Sequence, residues 1–333
     1  MNLGQLLLWP LTLPYGAISR LRARAYAKGL LRHRRLKGVV ISVGNITTGG
    51  TGKTPMVLFL AERLLAEGKK TAILTRGYRG ENSATGSTSD EVQLLQRRLG
   101  DRVAFGIGAD RFARGSELAR RGIDWFILDD GFQHLQLARN VDIVLIDATN
   151  PFGGGQLLPA GRLREPKSAI SRADIIVITR SRHAPAIEAA IRRESRAPIF
   201  YASVRLDSVM PWRSANAQRE APSLQGKKLF AFCGIGNPSA FVADLREWGF
   251  QIVAERFFPD HHRYTPEDIQ VIESEARSAG ADALICTEKD NFNLANAQFQ
   301  SFDVSYCRIS LQLDRAEEFW NVIAATIAAR IHR

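Results

Sequence analysis

Ser42-Val43-Gly44-Asn45-Ile46-Thr47-Thr48-Gly49-Gly50-Thr51-Gly52-Lys53-Thr54-Pro55, SVGNITTGGTGKTP, decides how the rest of the chain is read. It joins an apolar run, Gly38–Val43, to a stretch of helical periodicity from about Thr54 to Ala66. A strand, a glycine loop ending in Gly-Lys-Thr and a helix together form the context that marks a phosphate-binding loop. Gly49, Gly50 and Gly52 let successive backbone N–H groups turn inward around phosphate oxygens. The helix N-terminus adds partial positive charge. Lys53 is placed to reach β- and γ-phosphates, and Thr54 offers a hydroxyl to Mg²⁺. The cofactor-contacting run is therefore Thr48, Gly49, Gly50, Thr51, Gly52, Lys53 and Thr54. Pro55 falls in the first helical turn, where a missing N–H costs little. One position departs from G-x-x-x-x-G-K-[ST]: the pattern wants glycine at 47, and the chain has Thr47. That is tolerable if residue 47 needs no positive φ.

Outward from the loop, short apolar runs alternate with helical stretches. Strands are predicted at Thr71–Leu74, Arg102–Phe105, Trp125–Leu128, Val141–Ile146 and Ile175–Thr179. Helices are predicted at Glu91–Arg98 and Arg111–Arg121. This alternation predicts an α/β fold of the P-loop NTPase type, with a doubly wound, mostly parallel sheet covered on both faces. Periodicity fades around Val204–Gly226. It resumes with strand Lys228–Cys233, helix Ser239–Trp248, strand Gln251–Glu255, a helix from Pro266, strands Ala283–Cys286 and Val304–Ser310, and a closing helix near Arg315–Ile331. The expected division is an N-terminal segment 1–37, a P-loop core 38–208, a linker 209–226 and a smaller α/β domain 227–333. Gly77–Ser89 and Ala148–Lys167 are too long and irregular for plain connections, and such loops are usually functional.

The 333 residues are 45% hydrophobic and 24% charged, enough for two globular domains. Three separated cysteines, with no C-x-x-C, suggest neither a disulfide framework nor a zinc site, and fit a reducing cytoplasmic setting. A net charge of +11 raises the prospect of nucleic acid. Its distribution argues otherwise. Residues 1–61 hold no Asp or Glu and carry nine Lys or Arg, leaving about two net charges for the other 272 residues. Eight of the nine lie between Arg20 and Lys37, just after an apolar stretch, Leu6–Gly16, that contains Trp9 and Tyr15 and is interrupted by Pro10 and Pro14. Eleven residues are about half the roughly 20 needed to span a bilayer as a helix. A secretory signal would put its charge first. The segment reads as an interfacial anchor with an Arg-rich helix lying against anionic headgroups, or else as an amphipathic helix packed on the protein's own core.

Further phosphate chemistry needs a carboxylate at a strand end. Asp129 and Asp130, closing Trp125–Leu128, fit a Mg²⁺ site, with Asp147 a weaker rival. Transfer to a hydroxyl needs a base or orienting group and charge stabilisation near the γ-phosphate. Candidates are Asp90-Glu91, the run Asp129–His134, Arg162, Arg164 and Glu165, and Asp260-His261-His262. Asp90 has a competing reading as part of a helix N-cap.

With these pieces in order, the chain resembles the tetraacyldisaccharide 4′-kinase family of lipid A biosynthesis. The matching residues are SVGNITTGGTGKTP (42–55), LTRGYRG (74–80), DE (90–91), DDGFQH (129–134), LPAGRLRE (158–165), PDHH (259–262) and TEKD (287–290). The resemblance implies an ATP- and Mg²⁺-dependent kinase at the cytoplasmic face of the inner membrane. Its acceptor would be the 4′-hydroxyl of a tetraacylated glucosamine disaccharide 1-phosphate. It further implies Asp90 as acceptor base with His261 as partner, Lys53 on the phosphates, and Thr54, Asp129, Asp130 and Glu165 around Mg²⁺. Arg76, Tyr78, Gln133, His134 and Arg164 would face substrate. Ser89 and Val92 stand where the family often has glycine and proline. No obligate protein partner and no nucleic acid are expected. The alternative reading is a P-loop NTPase for metal insertion or enzyme maturation, but it would want paired Cys or His ligands, and none occur at metal-ligand spacing.

Overall fold

The computed structural model describes residues 3–77, 89–212, 223–294 and 297–331. The described chain forms two compact units. The first comprises residues 1–87, 98–203 and 311–333; the second comprises 88–97 and 204–310.

In the first unit the strands lie in the order β3 (Ala104–Ile107), β2 (Thr71–Thr75), β4 (Trp125–Asp129), β1 (Val39–Asn45), β5 (Val141–Asp147), β6 (Ile175–Thr179) and the start of β7 (Ile199–Pro211). The pairs from β3 through to β7 are all parallel. Buried on both faces, these strands are nearly continuous apolar runs; every residue of β5 and β6 is buried. One core cluster packs Val144, Ile146, Ile176 and Ile178 with Phe132 and Leu163. Another packs Leu74, Phe126 and Leu128 with Leu118 and Leu137. Helix α2 (Lys53–Ala66) follows β1 and α4 (Arg111–Arg120) follows β3. The register that sets Val43 beside Asp129 puts the end of β4 level with the start of the glycine loop.

The N-terminal segment is one helix, α1 (Leu3–Ala27), continuing through Pro10 and Pro14. It lies on the first unit by one face: Thr12 and Gly16 are buried, and the Tyr15 hydroxyl donates to the Arg164 carbonyl at 2.9 Å. Its other face presents Leu11, Leu13, Ile18 and Leu21 to solvent. The segment packs one face on its own unit and leaves apolar side chains exposed on the other. No described helix is long and apolar enough to cross a membrane.

The second unit carries β11 (Val304–Leu313), β10 (Ala283–Thr287), β8 (Lys228–Cys233) and β9 (Gln251–Phe257) in that order, with β11–β10, β10–β8 and β8–β9 again parallel. Helices α6 (Pro238–Glu247), α7 (Pro266–Ser278) and the short α8 (Glu288–Asn293) join them. Phe230, Phe232, Tyr264, Ile272 and Tyr306 pack in one core cluster, and Leu229, Ala231, Val242 and Leu245 in another.

The units differ from the division read in the sequence. Helix α3 (Asp90–Leu99) begins in the second unit, and α9 (Ala316–Ile331) belongs to the first, with Phe319 at 5.3 Å edge-on to Phe200. Residues 204–211 belong to strand β7 (Ile199–Pro211), and the sequence periodicity fades there because this outer half is only partly buried and its polar residues break the apolar pattern. The expected linker begins inside that strand, and its residues 213–222 lie outside the described residues, as do Tyr78 and most of Gly77–Ser89.

Candidate active site

In the first unit the glycine loop has the conformation its chemistry requires. Gly49 and Gly52 adopt φ of 116° and 85°, a region L-residues avoid. Thr47 does not, which removes the conflict with the consensus. Instead it is buried and bridges antiparallel to Leu163, while Thr48 N–H donates to the Arg162 carbonyl at 2.8 Å. Arg164 N–H reaches the Ile46 carbonyl. The segment Arg162–Arg164 is therefore laid along the loop. Inside the loop, Asn45 Nδ2 donates to Thr51 Oγ1 at 2.8 Å, and Thr179 Oγ1 to the Thr51 carbonyl at 3.2 Å.

Helix α2 has no side-chain cap and no acid in its first turn, whereas α4 is capped by Asp110 and α7 by Thr265. Its leading N–H groups are left for an external acceptor, and the macrodipole favours an anion there. A Cβ at Gly50 would meet nothing within 4 Å, so the loop is open on that side. These features fit a polyphosphate. Lys53 Nζ lies 3.6 Å from Asp130, whose carboxylate also accepts from Arg164 Nη1 at 2.7 and 2.9 Å. Burial works to raise the Asp130 pKa, but Lys53, Arg164 and Arg111 outweigh it and hold the carboxyl below its usual range. Asp130 itself takes a left-handed φ of 49°, an uncommon conformation often found at functional positions. Asp129 accepts from Thr75 Oγ1 at 3.2 Å.

The second unit holds a separate pair. His261 Nδ1 lies 2.9 Å from each carboxylate oxygen of Asp90, which is buried at the start of α3. His261 is also left-handed, at φ 61°. The Asp90 bond raises the imidazole pKa against the effect of burial. For Asp90, burial is outweighed by the His261 hydrogen bond and the Lys289 ammonium, and the pKa falls. Asp90 does not cap α3 conventionally: its Oδ1 accepts from its neighbour Glu91 N–H, while Ser89 Oγ accepts from Val92 N–H at 3.4 Å.

A phosphate loop of this form and an Asp–His pair occur together in a chain whose residues 4–328 match the family model for tetraacyldisaccharide-1-P 4′-kinase. The chain belongs to this family. It is 43% identical over 304 residues to the tetraacyldisaccharide 4′-kinase of Geobacter metallireducens, covering 86% of this chain and 88% of that one. With the protein of that name from an Anaeromyxobacter species it shares 38% over 335 residues, covering 94% and 89%. Among solved structures it is similar to LpxK from Aquifex aeolicus in complex with ATP, with a TM-score of 0.72, 29% identity and coverage of 96% and 98%.

For a tetraacyldisaccharide-1-P 4′-kinase, the remaining expected residues fall into distinct positions. Gln133 Nε2 donates to the Asn45 carbonyl at 2.8 Å and to Glu165 Oε1 at 3.1 Å, tying the loop strand to the DDGFQH turn. Both Glu165 oxygens are also held by Arg172, at 2.8 and 2.9 Å. That ion pair makes Glu165 an anchor for Gln133 more readily than a metal ligand. His134 is driven down to about 4 by burial and by Arg111, Arg139 and Arg22, so it is neutral at pH 7. Asp147, the rival carboxylate, is occupied by the Thr149 hydroxyl at 2.7 Å and Arg180 at 3.5 Å. Among the described residues no cluster of three or more His, Cys, Asp or Glu could hold a metal. A hydrated Mg²⁺ on phosphates needs only one or two protein oxygens; Thr54 lies in the first turn of α2 and Asp129 at the end of β4, beside Val43 of the strand that leads into the loop.

Two residues escaped the sequence reading. Arg111 is buried, with its Nη2 donating to the Asp129 carbonyl at 3.4 Å. A signal existed, since arginine as the first residue of a helix opposes the macrodipole. Arg139 donates from Nη1 to the Gly131 carbonyl at 3.1 Å and lies 3.2 Å from Asp142, bracing the same turn. No local pattern marks that role.

Proposed function

We propose that this chain transfers the γ-phosphate of ATP to the 4′-hydroxyl of a tetraacyl glucosamine disaccharide 1-phosphate in lipid A biosynthesis. The observation that carries this is the uncapped α2 N-terminus, with Lys53 opposite the Asp130–Arg164 pair, in a chain matching the family from residue 4 to 328. Loop amides and Lys53 bind the β- and γ-phosphates and stabilise charge on the transferring group. Mg²⁺, held by Thr54 and Asp129, neutralises phosphate charge when bound. Asp130 keeps Lys53 and Arg164 oriented. Arg164, Arg76 and the neutral His134 serve substrate recognition.

The Asp90–His261 pair acts on the acceptor. A lone aspartate of depressed pKa is a weak base, but the hydroxyl proton is taken up by the hydrogen-bonded Asp90–His261 pair as a unit, in which the imidazole pKa is raised. As the 4′-oxygen bonds to the γ-phosphorus, the bond to the β–γ bridging oxygen breaks and ADP leaves. A loose transition state asks for positioning more than for strong base strength.

The lipid acceptor gives the exposed apolar face of α1 a purpose. Leu11, Leu13, Ile18 and Leu21 would enter the lipid boundary, and Arg20 and Arg24 would meet anionic headgroups, placing the enzyme peripherally on the cytoplasmic face of the inner membrane. The test is incubation with γ-labelled ATP, Mg²⁺ and the tetraacyl disaccharide 1-phosphate. Label in lipid supports the reading; label released only as inorganic phosphate, equally with and without lipid, overturns it in favour of an NTPase.

A further inference from the structure

The second unit spends a fully buried carboxylate where nothing in the transfer reaction requires one. Asp290, in α8, is wholly inaccessible to solvent. Its Oδ2 accepts from Thr287 N–H at 3.2 Å and Thr287 Oγ1 at 2.5 Å, completing a capping box. A cap would need no more. Yet Oδ1 also accepts from Gly234 N–H at 2.8 Å and from the Tyr264 hydroxyl at 2.7 Å. A buried charge is tolerated only with such complete hydrogen bonding.

The two extra donors bracket the turn that carries His261. Gly234 accepts from His261 N–H through its own carbonyl at 3.0 Å, and a Cβ there would come within 3.0 Å of both the Pro259 carbonyl and His262 Cβ. Tyr264 closes the other side, edge-on to Phe258 and Phe232 at 5.1 and 5.5 Å. The left-handed φ of His261 is thus fixed from both flanks. One residue earlier in the same helical turn, Lys289 Nζ donates to Glu91 Oε1 at 2.7 Å, next to Asp90. Consecutive side chains of one six-residue helix therefore reach the supports of both partners.

From this we infer that α8 is the positioning element of the Asp90–His261 pair, with Asp290 setting the histidine's turn through Gly234 and Tyr264 and Lys289 holding the aspartate's helix through Glu91. This rests on the pair being the acceptor's base; Asp290 and Lys289 are positioning residues and touch no reacting atom.

The discriminating variants are Tyr264→Phe, which removes one hydroxyl and no ring, and Asp290→Asn, which cannot accept all four bonds. Turnover, KM for ATP, thermal unfolding and the His261 pKa by imidazole NMR would be measured on the full chain. In Tyr264→Phe, kcat is expected to fall about tenfold, since small misplacements of reacting groups are costly. KM for ATP should stay within about twofold, because the phosphate loop is untouched. The His261 pKa should drop back toward 6.5 as its bond to Asp90 loosens, in a field still containing Asp260 and Lys289. A folded Tyr264→Phe protein with normal kcat and an unchanged His261 pKa overturns the assignment, whether or not Asp290→Asn folds. If Asp90→Ala retains turnover, the base reading fails on its own, while the NMR shift still reports whether α8 positions the pair.

Discussion

Gly44 and Phe132 are packed so closely that a methyl group on Gly44 would lie 2.6 Å from Phe132 Cβ and 2.7 Å from its backbone nitrogen. The DDGFQH turn is therefore seated directly on the strand that delivers the glycine loop, with Gln133 bonded to the carbonyl of the next residue, Asn45. Backbone on one side of the contact leaves Gly44→Ala little room to relax. Overpacking of this kind costs about 1–3 kcal/mol, and the displaced turn carries Asp130. Thermal unfolding should show that loss, and KM for ATP should rise. A variant with wild-type stability and nucleotide affinity would contradict the packing.

Restoring the consensus glycine at position 47 should bring no benefit. Thr47 has ordinary φ, is buried and bridges to Leu163. Thr47→Gly adds backbone freedom, which costs about 0.5–1 kcal/mol in such a setting, and also removes a buried side chain. Nucleotide titration and thermal unfolding should show unchanged or weaker ATP binding with a small stability loss. Tighter ATP binding would mean that the loop needs a conformation threonine resists.

Lys53→Ala should abolish most transfer while leaving the fold. Asp130 keeps its bonds to Arg164, so no buried carboxylate is stranded. Loss of a charge-stabilising donor at a transferring group costs at least about 10²-fold in kcat. Turnover within a few fold of wild type would refute the phosphate role of Lys53.

Much of the frame was legible because its signals are local. Strands such as Ile175–Thr179 are unbroken apolar runs, and the glycine loop states its own backbone conformation. The half-buried outer part of β7 was not legible, since residues such as Arg205 and Asp207 interrupt its periodicity while Asp207 accepts from the distant Ser310 hydroxyl at 2.6 Å. Site residues divide in the same way. Lys53 and Asp129 follow from motif and strand end, whereas the meeting of Asp90 with His261, 171 positions apart, depends on tertiary structure and was reached only through family resemblance. Arg139 and Asp290 act through carbonyls and hydroxyls that no spacing rule connects.

The exposed face of α1 makes a separable prediction. Leu13, Ile18 and Leu21 are each more than 60% exposed, so replacing them by aspartate should leave the fold intact. It should also weaken binding to vesicles containing anionic lipid, both by lost burial at about 0.8 kcal/mol per CH₂ and by repulsion. Co-sedimentation measures this, with wild-type binding falling as salt is raised. Triple-variant protein that sediments as fully as wild type would remove α1 from membrane attachment.

The pH dependence of turnover tests the Asp90–His261 pair most directly. Its coupled titration raises the histidine above 6.5 and lowers the aspartate below 3.8. The proton-accepting form is Asp90 ionised with His261 neutral. Turnover should therefore be complete at alkaline pH and decline as pH falls through the raised histidine value, giving an acid limb of kcat above 6.5. In His261→Gln the histidine is gone and only Asp90 remains to titrate. Its limb should move down into the carboxylate range while the plateau drops by about 10²-fold or more, the usual worth of a positioned base. Asp90→Asn should leave neither plateau nor limb. A His261→Gln protein that keeps an acid limb above 6.5 would assign the titration to another group and take the histidine out of the proton's path.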